Sequence, residues 1–169
     1  MGRRPPRVHP LAALIACWAC AAGCIENVEN AVSFPDLDPA FHRCEVEPVF
    51  DHSCSALACH GDAQRPFHVF TRNRLRLVGT NTDRNQLLTD EEISANFDNA
   101  RGFAADPPED SWLLRKPLEQ AAGGYFHVGK ERFGGEDVWT TRDDADYQVV
   151  LAWLRGATAD PQCIAPGSF

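Results

Sequence analysis

Cys54, Cys59 and His60 lie within one short stretch, CSALACHGD, running from Cys54 to Asp62. Two thiols are separated by four residues, and an imidazole follows the second directly. Two chemistries use these residue types in this order. In the first, both thiols add across the vinyl groups of a haem and the imidazole ligates the iron; Cys-x-x-Cys-His is the common form, because one turn of backbone delivers all three groups. The spacer here, Ser55 to Ala58, is longer and requires a small bulge, but its residues are small or flexible. In the second, Cys54 and Cys59 form a local disulfide and the histidine is incidental. Spacing alone leaves both open. A zinc site built from Cys44, Cys54, Cys59 and His60 fits less well, since the ligand spacing is irregular and thiols in an oxidising compartment tend to pair.

The N-terminus sets the compartment. MGRRPPRVHP carries three arginines and no acid, and Leu11 to Ile25 is an uncharged run of 15 residues. That is shorter than the roughly 20 residues a membrane-spanning helix needs and has the character of a signal-peptide core. The run ends in AAGC, which resembles a lipoprotein cleavage site, with Cys24 as the lipid-bearing residue; Ala21 stands where that pattern prefers leucine. An ordinary signal peptide or an uncleaved anchor is the alternative. The expected organisation is a signal over 1–23, a polar, proline-interrupted tether over 24–40, and one domain over 41–169. The chain is expected to be exported to the periplasm or cell surface and lipid-anchored to a bacterial membrane.

Loss of residues 1–23 takes away three arginines and moves the formal charge from −8 to −11. Such acidity argues against nucleic acid as a partner and against unassisted binding to anionic lipid. It also leaves five of the seven cysteines: Cys24, Cys44, Cys54, Cys59 and Cys163. With Cys24 lipidated and Cys54 and Cys59 on haem, Cys44 and Cys163 remain for one disulfide between the start and end of the domain.

The elements that would position the motif are helical. Phe41 to Ala58 has Pro48 at a first-turn position and Phe50, Cys54 and Leu57 on one face, placing the motif at the helix end. Residues 65–79 read as a loop followed by a short strand or helix. NQLLTDEEISANFDN reads as a helix, and DSWLLRKPL as a short one stopped by Pro117. Five glycines between Ala121 and Gly135 make a turning loop around His127 and suggest close backbone approach to something flat. In TTRDDADYQVVLAWLRGA, Tyr147, Val150, Leu151 and Leu154 share a face widened by Val149 and Trp153; Thr141 with Asp144 caps the start and Gly156 ends it. No phosphate loop, nucleophile elbow or metalloprotease helix is present.

Four stretches together, VEPVFDHSCSALACHG, PEDSWLLRKPL, HVGKERF and DYQVVLAWLRGA, resemble the small exported c-type cytochrome domains of planctomycetes and myxobacteria. The resemblance covers roughly Cys44 to Ala157 and rests on Ser111, Leu113, Leu114, His127, Phe133, Trp153, Gly156 and Ala157. Val128 departs from the glycine that usually follows the loop histidine, and the attachment spacer is longer than the common one. The resemblance implies a mainly α, cytochrome c-like single domain with long irregular loops. It also implies haem c on Cys54 and Cys59, with His60 as proximal ligand.

The sole methionine is Met1, so a Met/His ligand pair is excluded from the mature chain. His42, His52, His68 and His127 are the candidates for the opposite face, and the resemblance points to His127. A bis-histidine iron leaves no substrate site. The expected function is therefore electron transfer with redox partner proteins of the cell envelope, rather than catalysis. The rival is a haem-free envelope lipoprotein with a Cys54 to Cys59 disulfide, acting as a binding or assembly subunit. An open sixth position would instead give a haem enzyme or sensor.

Overall fold

In the computed structural model the described residues are 36–77, 84–128, 135 and 137–161. The chain divides into two units, Met1–Ser33 and Phe34–Phe169, and the whole of the first lies outside the described residues, Cys24 included.

The attachment segment is a helical rod in four consecutive pieces, Pro39–Phe41, His42–Val46, Glu47–Val49 and Phe50–Cys54, the second and fourth wound as π turns. Pro48 lies inside this rod and not at its start. A proline has no N–H for an α-helical bond, and its ring presses on the carbonyl one turn back. The wider turn before it, in which the Glu47 N–H reaches back to the His42 carbonyl, accommodates it. Phe50 and Cys54 are buried as expected, but Leu57 falls beyond the rod's end and is 61% exposed. The rod's last carbonyls are capped from a distance: Arg74 donates to the Asp51 carbonyl at 2.9 Å and to the Ser55 hydroxyl.

The stretch expected to hold a strand or helix after Arg65 is irregular through Leu77. Its backbone finds partners elsewhere, which is how a buried loop avoids stranded polar groups. Asn96 accepts from the Phe70 N–H and donates to the Phe70 carbonyl, both at 2.8 Å. Arg76 donates to both carboxylate oxygens of Glu92, at 2.9 and 2.7 Å, and to the carbonyls of Arg84, Gln86 and Leu87. Burial pushes Glu92 upward, yet the Arg76 fork and the Thr89 and Leu77 N–H groups outweigh it and hold the carboxyl below its ordinary value. Glu92 also completes a capping box with Thr89 at the start of the helix Asp90–Arg101.

A 3₁₀ turn, Pro108–Asp110, leads into the short helix Trp112–Arg115. The terminal helix, Ala145–Leu154, starts at Asp144, whose side chain accepts from the Asp146 N–H; Thr141 instead accepts from the Asp143 N–H, one turn earlier than a cap. Tyr147, Val150, Leu151, Trp153 and Leu154 are buried, and Gly156 follows with a φ of 85°. This face packs on the rod and on Trp112–Arg115. Val46, Val49, Phe50, Leu113, Leu114, Leu118 and Trp139 complete the core.

The fold is mainly α, with no strand among the described residues; a single bridge joins Leu118 to Trp139. Residues 36–40, expected as the end of a tether, are docked. Leu37 is buried, the Asp38 carbonyl accepts from the Trp153 indole at 3.1 Å, and the Asp38 carboxylate accepts from the Ala159 N–H at 2.9 Å. Cys44 is disulfide-bonded and Cys54 and Cys59 are free; the expected partner of Cys44, Cys163, lies outside the described residues.

Candidate functional site

Where the rod stops at Cys54, the chain folds back on itself within seven residues, Ser55 to Gly61. The His60 N–H donates to the Cys54 carbonyl at 3.1 Å, and the Cys59 and Gly61 N–H groups donate to the Ala56 carbonyl at 2.8 and 3.0 Å. The four-residue spacer is thus a closed turn, which holds Cys54, Cys59 and His60 against one space. Gly61 makes it possible: a side chain there would clash with the Ser55 carbonyl.

His60 Nδ1 hydrogen-bonds to the Phe67 carbonyl at 2.9 Å, and the Val69 N–H donates to the His60 carbonyl at 2.8 Å. A neutral imidazole donating through Nδ1 to that carbonyl presents Nε2 as the free acceptor, the arrangement that orients a metal-ligating histidine. Burial holds the His60 pKa below its ordinary value, so the acceptor form persists at neutral pH.

His127 arrives from the opposite side on the glycine-rich loop. Gly123 takes a left-handed φ of 96°, and Gly124 passes so close to Leu118 that a side chain would clash with the Leu118 carbonyl. Gly124 brings backbone against backbone, Gly123 faces the Arg142 guanidinium, and Gly129 and Gly134 of the same loop lie outside the described residues. Next, the Tyr125 N–H donates to the Arg115 carbonyl at 2.8 Å, and the Arg115 guanidinium lies 4.0 Å from the Tyr125 ring centre. So pinned, the loop brings Phe126, His127 and Val128 to one cavity, with His127 half-buried and Phe126 and Val128 exposed at its edge.

The result is a cavity of about 690 Å³ lined by Cys54, Cys59, His60 and His127 together, with Phe50, Phe67, Phe103 and Leu113 among its apolar walls. That volume falls within the roughly 300–1,000 Å³ of small-molecule and cofactor sites. The His60 and His127 rings are 6.1 Å apart, centre to centre, and within 12° of parallel. His127 Nδ1 is buried with no hydrogen-bond partner, and burial lowers the His127 pKa, opposed by the charge of Asp137. Two thiols and two imidazoles lining one apolar cavity are the donor types a covalent haem would use, so the residues present fit that group. Among the described residues no group of three or more His, Cys, Asp or Glu converges as a metal-ion site, and Cys44 does not line the cavity. A macrocycle that brings four ligands of its own needs only the two imidazoles.

Cys54 and Cys59 are free thiols, so the local disulfide is not formed. Burial, with smaller contributions from Cys59 and Asp146, pushes the Cys54 thiol up to about 12, which removes it from thiolate nucleophile chemistry at neutral pH.

The remaining histidines are engaged elsewhere. His42 is fully buried in the core against Phe50, Phe97 and Trp153. His52 meets Asp146 at 2.6 Å, and His68 meets the Arg65 carbonyl at 3.0 Å. Ser53 also donates to Asp146, at 3.2 Å, but with the carboxylate between serine and histidine no base faces the hydroxyl, so this is not a nucleophile triad. Lys116, Gly61 and Gly124 were not singled out by sequence as site residues; the Cys-His-Gly run and the Gly123–Gly124 pair just before His127 were the available signals. Comparison with known proteins returned no matching family model, curated protein or solved structure.

Proposed function

We propose that this chain is a c-type monohaem protein with a cytochrome c-like fold that transfers electrons in the bacterial cell envelope, held at the membrane by a lipid on Cys24. The observation that carries the reading is the convergence of Cys54, Cys59, His60 and His127 on one apolar cavity, with the two imidazoles at 6.1 Å and near parallel. Haem c supplies a one-electron ferric/ferrous couple when bound.

The chain's own residues account for the rest. Cys54 and Cys59 would hold the macrocycle through thioethers. The Phe67 carbonyl fixes the tautomer and direction of His60, and the pinned loop sets His127 opposite. Phe50, Phe67, Phe103 and Leu113 keep water from the buried side, which limits solvent reorganisation on electron transfer and tunes the potential. His60 and His127 would both be held against the bound group, leaving the chain to carry electrons rather than to bind a substrate there. Redox proteins of the envelope are the partners.

The test is a potentiometric titration of the purified, haem-loaded protein, followed by carbon monoxide on the reduced form. A reversible one-electron transition with no spectral response to carbon monoxide is the expected result. Rapid carbon monoxide binding by a high-spin iron would replace the carrier reading with a sensor or enzyme.

A further inference from the structure

The cavity has one charged residue whose role the axial ligands and thioethers leave unexplained. Lys116 follows the helix Trp112–Arg115 and lines the cavity from its exposed mouth. Its Nζ donates to the Phe126 carbonyl at 3.0 Å and lies 5.6 Å from the Trp112 ring centre. The ammonium is thus held between two residues of the cavity rim, and at His127 its charge acts against the larger, opposite effect of Asp137, which does not line the cavity. In a chain of formal charge −8, the described cavity lining contains this lysine and no aspartate or glutamate. An apolar cleft walled by low-dielectric side chains and fringed by one cation selects a ligand that is mostly hydrophobic with an anionic edge.

We infer that Lys116 is the positioning residue that receives a carboxylate of the bound macrocycle, fixing which edge of haem faces solvent. This rests on the haem reading of the same cavity. The Lys116 ammonium has three donors, and the Phe126 carbonyl takes one; two remain for a carboxylate at the mouth. Neutralising that carboxylate removes a negative charge from the neighbourhood of the iron and favours the reduced form.

The experiment compares wild type, Lys116→Met and Lys116→Arg, each expressed with a haem c maturation system and checked by intact mass for covalent haem. Midpoint potentials are then measured across pH. Lys116→Met is expected to retain haem and low-spin spectra while its electron affinity falls on the order of tenfold, about 59 mV for one electron. Lys116→Arg, which keeps the charge, should stay close to wild type. An unchanged potential in haem-loaded Lys116→Met would overturn this inference and leave the haem reading intact. A change to high-spin iron in that variant would overturn it differently, making Lys116 an axial ligand. Wild-type protein without covalent haem would overturn both.

Discussion

His42 and Glu47 stand five residues apart on the rod, with Nδ1 and Oε2 separated by 3.7 Å. Neither ring nitrogen of His42 has a hydrogen-bond partner, and the other Glu47 oxygen accepts from Asn96 at 2.5 Å. Burial lowers His42 to about 3 and raises Glu47 to about 8; Asp51 adds to the rise, while Asn96 and Arg43 oppose it. Both are therefore neutral in the fold at pH 7. The unfolded chain keeps the ordinary values of 6.5 and 4.5. Stability is thus lost as pH falls from 6.5 towards 3, where only unfolded His42 is protonated, and also as pH rises from 4.5 through 8, where only unfolded Glu47 is ionised. Glu47→Gln keeps an acceptor for Asn96 and cannot ionise, so it is expected to flatten the alkaline side by roughly 2–4 kcal/mol in pH-dependent melting. An alkaline slope equal to wild type would show that Glu47 is not the group responsible. His42 also shows what one sequence conceals at this scale. It was a candidate iron ligand by proximity to the motif, but which way a residue faces on a rod with two π turns depends on a helical phase that α periodicity does not give. Cys54, Cys59 and His60 were readable because their neighbours in space are neighbours in sequence; His127 needed the resemblance, and Lys116 had no pattern to announce it.

Loop and helix act together at the next scale. The Gly124 contact with Leu118 and the Tyr125 bond to the Arg115 carbonyl set the seat from which His127 enters the cavity. Gly124→Ala puts a methyl group into a backbone carbonyl, and relief requires the loop to lift. The expected outcome is a stability loss of about 1–3 kcal/mol and, in haem-loaded protein, carbon monoxide binding that wild type lacks. A variant with wild-type melting and no carbon monoxide response would show that this seat does not position His127. The terminal helix was legible because its apolar residues repeat at helical spacing and end at Gly156. The central helix was legible through its acidic start and the apolar residues that follow. The stretch after Arg65 was ambiguous for a physical reason: its partners are the side chains of Asn96 and Glu92, distant in sequence, rather than a neighbouring strand.

For the molecule as a whole, Asp38 joins the two ends of the domain by taking bonds from Trp153 and Ala159. The domain thus begins before the expected boundary at residue 41, because Leu37 reaches the core. Among the described residues no helix is long and apolar enough to cross a membrane. Apolar spacing and the resemblance pointed to the mainly helical frame that the structure shows; the cavity was not foretold, since it arises from segments that meet only in space. The proposed function requires that this cavity hold covalent haem. The direct test is a pyridine haemochrome spectrum of protein co-expressed with a haem c maturation system, taken after acid-acetone extraction of non-covalent haem. A retained c-type α-band that disappears in the Cys54→Ser, Cys59→Ser double variant is expected; colourless wild-type protein after extraction would contradict the account.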